Sequence, residues 1–76
     1  MVEWRMEIVT SDKNQKSVFI IGAEGLNQAK QRALQEFRMI VPQKKNLYLE
    51  AKRPGVYSII SDLDDVGEVM LEQTGQ

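Results

Sequence analysis

Residues 17–42 read SVFIIGAEGLNQAKQRALQEFRMIVP, and the apolar period of this stretch changes partway along. Residues 17–22 are β-branched and aromatic, the composition of a strand. From Leu26 onward the apolar positions are Leu26, Ala29, Ala33, Phe37 and Ile40, with Leu34 at their border. This three-and-four spacing gathers them on one helical stripe. Gly25 stands at the N-cap, and Gln28 three residues later is placed to complete a weak capping box. Pro42 ends the helix, because it has no N–H to donate and pushes Val41 out of the helical region.

Strands are expected on both sides of this strand–helix junction. Residues 2–9 alternate, with Trp4, Met6 and Ile8 on one side and Glu3, Arg5 and Glu7 on the other, the period of a strand with one buried face. The polar run 11–16 then makes a hairpin with the second strand. Downstream, residues 46–53 form a third strand, with Leu47, Leu49 and Ala51 inward and Tyr48, Glu50 and Lys52 outward. Pro54 and Gly55 fit the central positions of a type II turn. Residues 56–61 make a fourth strand, 62–67 turn the chain, 68–72 make a short fifth strand, and the last residues fray.

The expected fold is a single small α+β domain over residues 1–76, in the order ββαβββ. After the helical crossover the third strand runs antiparallel to the first. Antiparallel neighbours outnumber parallel ones roughly two- to three-fold, which puts the third strand beside the first. The expected architecture is a mostly antiparallel five-stranded sheet in the order 2-1-3-4-5, with the helix packed on one face. Trp4, Met6 and Ile8 then lie beneath Phe37 and Ala33.

Composition narrows function. The chain has 76 residues with no Cys and no His. Disulfides and thiolate metal sites are excluded, and the commonest catalytic bases, nucleophiles and metal ligands are missing. Ser11, Ser17, Ser58 and Ser61 have no base in a recognisable motif. No catalytic residue, cofactor or small-molecule substrate is therefore expected. The longest apolar stretch, 18–23, is too short to span a bilayer. The opening residues lack the pattern of a secretory signal, so a cytoplasmic location and no membrane contact are expected.

Three constellations bear on ligands. Asp62, Asp64 and Gly67 match the first, third and sixth positions of a calcium loop, but Val66 fails the fifth and Gln73 replaces the bidentate Glu at the twelfth. A polar turn accounts for these residues, and no metal is expected. Net charge is −1, yet residues 30–53 carry seven bases against Glu36 and Glu50, and from Pro54 onward there are five acids and no base. Arg32, Arg38, Lys44 and Lys45 could track phosphates and Tyr48 could stack on a base, which makes a nucleic-acid-binding domain using residues 30–53 the alternative reading. Against it stand Glu3, Glu7 and Glu50 on the same face as Tyr48. Finally, Gln28, Gln31 and Gln35 line the outer helix surface, an uncharged docking face or simply good helix formers.

The second strand is apolar on both faces. In the expected order it is an edge, and a long apolar edge without Lys or Pro invites another strand. An internal position would remove that liability. The run strand, polar turn, strand, then Ala23, Glu24, Leu26 and Ala29 opening a helix resembles the start of HicB-like antitoxin domains and of small phage inhibitors of RNA polymerase. The resemblance covers about half the chain and implies a regulatory binding module. The sequence is therefore read as a non-enzymatic protein-interaction module, binding a protein partner or itself. The contact residues would be Phe19 and Ile21 at the sheet edge and Gln28, Gln31 and Gln35 on the helix.

Overall fold

A computed structural model of the chain describes residues 1–11 and 15–75. The elements are β1 (Val2–Thr10), β2 (Lys16–Ala23), α1 (Leu26–Ile40), β3 (Leu47–Arg53), β4 (Val56–Ser61) and β5 (Asp64–Gly75). They match the expected ββαβββ order and the α+β class. Of the polar run between the first two strands, residues 12–14 lie outside the described residues. No described helix is long and apolar enough to cross a membrane.

The sheet order is β2-β1-β5-β4-β3, every pair antiparallel. This corrects the expected 2-1-3-4-5. The fifth strand, not the third, lies beside the first, and it is a long central strand reaching Gly75 rather than a short one followed by a frayed tail. Two physical reasons favour the observed order. A helix of this length spans about 22 Å at 1.5 Å per residue, and four interstrand gaps amount to about 19 Å. The crossover thus delivers β3 to the far side of the sheet, and α1 packs on β2, β1, β5 and β3. Composition agrees: β3 ends in exposed Glu50, Lys52 and Arg53 followed by Pro54, which suit an edge, whereas Val69 and Leu71 of β5 are buried.

The core lies between helix and sheet. Ala29, Ala33 and Phe37 of α1 are fully buried against Trp4, Met6, Ile8, Ile59 and Val69, as the two periodicities require. At Gly67 backbone and helix come close together, since a Cβ there would meet Val9 O at 2.8 Å and Phe37 Cε1 at 3.1 Å. Beside it the β4–β5 register shifts, with Ile59 opposite Gly67 and Ile60 opposite Asp65, leaving Val66 as the extra residue. This bulge brings Val66 into the core cluster with Phe37.

The turns are tighter than expected at one hairpin and as expected at the other. Gly55 has φ 79°, the value that the second central position of a type II turn requires. Between β4 and β5 the chain reverses on Asp62 and Leu63 alone, both with positive φ (50° and 73°). That is a two-residue turn of type I′ character, matched to the twist of the flanking strands. Asn46, also at positive φ, donates from its amide to Asp62 and braces this turn.

Candidate functional site

Parity along β2 decides what its edge presents. Ser17, Phe19, Ile21 and Ala23 lie opposite Ile8, Met6, Trp4 and Val2 and share their helix-covered face. Ile21 is accordingly in the core at 6% exposure, and Phe19 is partly buried against the core. The freely exposed side chains are the alternate pair, Val18 at 49% and Ile20 at 59%. The structure thus moves the apolar surface of this edge from the expected Phe19 and Ile21 to Val18 and Ile20. The parity was readable: Phe37 claims the face of Trp4, Met6 and Ile8, and a hairpin forces partners onto the same face.

The same parity assigns the backbone. Thr10 N–H donates to Gln15 O, its in-register neighbour across the hairpin. Antiparallel ladders alternate bonded and non-bonded pairs. Ser17, Phe19, Ile21 and Ala23 therefore direct their N–H and C=O groups to β1, while Lys16, Val18, Ile20 and Gly22 direct theirs outward. Val18 and Ile20 combine an exposed apolar side chain with outward-pointing backbone groups.

One charge, Lys16, stands at the start of this edge, with its side chain 61% exposed. The Lys16 ammonium turns inward to Glu7 of β1 (3.7 Å), which also accepts from Arg5 (3.1 Å). Toward the other end, the Met1 side chain lies over Gly22, and its amino group faces Glu24. Met1, Ile20 and Gly22 line a shallow cleft of about 280 Å³ on the uncovered face of the sheet. The opposite edge differs, since β3 presents Tyr48, Glu50, Lys52 and Arg53.

The remaining expected residues fall elsewhere. Gln28, Gln31 and Gln35 are exposed on α1, but Gln28 is engaged, accepting from the Glu24 N–H just before the helix. The expected capping box thus reaches one residue upstream of Gly25. Arg32 and Arg38 sit on the helix, and Lys44 and Lys45 on the loop beyond it; among the described residues no ion pair engages these four. Tyr48, paired with Ile60 on the sheet face opposite the helix, is not brought together with the helical arginines. That face also carries Glu3, Glu7, Glu50, Glu68 and Glu72, with Lys52 paired to Glu68 at 2.8 Å. Lys30 of the same basic stretch lies over the Tyr57 ring at 4.9 Å.

Asp62 accepts from Asn46 and Asp65 from the Gly67 N–H, so two acids of the calcium-like stretch serve its turn and bulge. Among the described residues no group of three His, Cys, Asp or Glu could hold a metal ion. A cleft of about 400 Å³ opens where the end of α1 meets the sheet, lined by Thr10, Ser11, Phe37, Val41, Gln43 and Lys44 among others. No family model, curated protein or solved structure matches this chain.

Proposed function

We propose that this chain is a non-enzymatic interaction module whose working surface is the outer edge of β2, where it accepts an extended protein strand. The observation that carries the reading is the coincidence of outward backbone groups and exposed apolar side chains at Val18 and Ile20, on a sheet edge with no charge between Ser17 and Ala23. Strand addition draws affinity from main-chain hydrogen bonds and specificity from alternate side chains. A cation or proline within an edge strand is the usual guard against such pairing, and β2 carries neither between those residues. The basic helix and loop support the nucleic-acid alternative less, because Tyr48 stands on an acidic face away from Arg32 and Arg38.

Co-purification from native extract tests the reading, using wild type beside Ile20→Pro. Proline at position 20 removes an outward N–H, so bound protein should be lost while the fold is kept. Protein retained by Ile20→Pro but lost on changing Gln31 and Gln35 to Ala would move the surface to the helix. Recovery of nucleic acid that disappears on changing Arg38, Lys44 and Lys45 to Ala would replace the reading altogether.

A further inference from the structure

Resting on the edge reading above, we infer that the strand accepted by β2 is the β2 strand of a second copy, paired antiparallel about a two-fold axis through Phe19. A two-fold axis normal to the sheet pairs each residue with a position fixed by the axis. The hydrogen-bonded pairs must join outward-facing residues, which puts the axis on a residue and not between two, and the longest overlaps of β2 with itself come with the axis at Val18, Phe19 or Ile20. The three choices differ in chemistry. An axis at Val18 sets the Lys16 stem against the partner copy's Ile20 and extends the pairing beyond Lys16. An axis at Ile20 sets Val18 against Gly22, so one exposed apolar side chain of each copy faces no side chain.

An axis at Phe19 sets Val18 of each copy opposite Ile20 of the other. The four exposed apolar side chains then meet on the uncovered sheet face, directly across hydrogen-bonded pairs. Lys16 falls opposite Gly22, and no like charges face each other. The two Phe19 rings meet on the helix-covered face. Residues 16–22 all gain a partner, and the two sheets join into one with both helices on the same side.

Seven paired residues bury less than the roughly 1,200 Å² of a standard interface. The dimer is therefore expected to be concentration-dependent, and dilution is the direct probe. Sedimentation of the full chain from about 1 mM down to about 10 μM should show a dimer dissociating to monomer. Oxidation of an equimolar mixture of Val18→Cys and Ile20→Cys chains reads the axis. The disulfide should form between the two variants in preference to either homodisulfide, because position 18 faces position 20. Both positions are exposed in the monomer and the wild-type chain has no Cys, so the variants should fold and carry one thiol each.

A second pair guards against misfolding of any one variant. Val18→Lys/Ile20→Lys and Val18→Glu/Ile20→Glu should each be monomeric alone and should associate when mixed. A monomer throughout the dilution series, or homodisulfides in place of the mixed one, overturns this inference. If wild type is monomeric but still retains a protein that Ile20→Pro loses, the edge reading survives and only the second copy is wrong. If neither association nor an Ile20-dependent partner is found, both fall.

Discussion

Replacing Gly67 with alanine is the sharpest test of how the helix is seated. The added methyl would lie 2.8 Å from Val9 O and 3.1 Å from Phe37 Cε1. The first neighbour is backbone of the adjoining central strand and cannot swing aside. The second belongs to a fully buried ring. Overpacking of this kind costs about 1–3 kcal/mol. Removing a strand glycine returns about 0.5–1 kcal/mol through the unfolded chain. The net loss should lie between about 0 and 2.5 kcal/mol and centre near 1 kcal/mol, a substantial part of the roughly 3–5 kcal/mol that a core this small supplies. With a urea slope near 1 kcal/mol per molar, the midpoint should fall by about 1 M. The lone tryptophan, Trp4, is buried on β1 and reports the transition by fluorescence. A midpoint above wild type would refute the seating of Phe37 on Gly67.

Other substitutions probe the core and the turns. Phe37→Ala should cost about 3–5 kcal/mol and leave the chain largely unfolded by far-UV circular dichroism; a near-native melt would mean that α1 docks by another stripe. Leu63, at φ 73° and 87% exposed, holds a conformation that glycine adopts freely, so Leu63→Gly should stabilise by about 0.5–1 kcal/mol and raise the melting temperature. A lower melting temperature would show that the Leu63 side chain makes a contact worth keeping. Gly25→Asp meets open space and adds a capping carboxylate to a first turn without acids; the gain should be about 0.3–1 kcal/mol at low salt and shrink with added salt, and its absence at low salt would show that the helix start is already satisfied.

The elements and their buried faces were legible from local pattern. Alternation at Trp4, Met6 and Ile8 and the helical stripe through Ala33 and Phe37 each name a face, and two faces suffice to name the core. The strand order was not legible from pairing preference. Both candidate orders are wholly antiparallel, so that rule could not separate them. The deciding quantities were the helix length and the concentration of charge on β3 against buried Val69 and Leu71 on β5. The bulge at Val66 was invisible because it is a matter of register between β4 and β5, which no local pattern in either strand carries. The second strand was an edge in the expected order, with an internal position left open; it is an edge, and Phe19 and Ile21, the contact residues expected there, lie on its helix-covered face. Apolar composition on both faces hides which face the helix claims until the hairpin register is followed through from Trp4.

The place of β5 also bears on how the chain is born. Trp4 pairs with Gln73 and Ile8 with Val69, so the middle of the sheet joins the first strand synthesised to the last of the five. While β5 is still within the ribosome, β1 has a partner on one side only, and the β3–β4 hairpin has only α1 to dock on. The nascent chain therefore displays two bare strand flanks, on β1 and on β4, that the finished molecule never shows. The finished sheet therefore waits on the β1–β5 pairing, a contact of high sequence separation and slow closure. A translational pause before Asp64 would prolong the interval in which those flanks can pair with neighbouring chains instead.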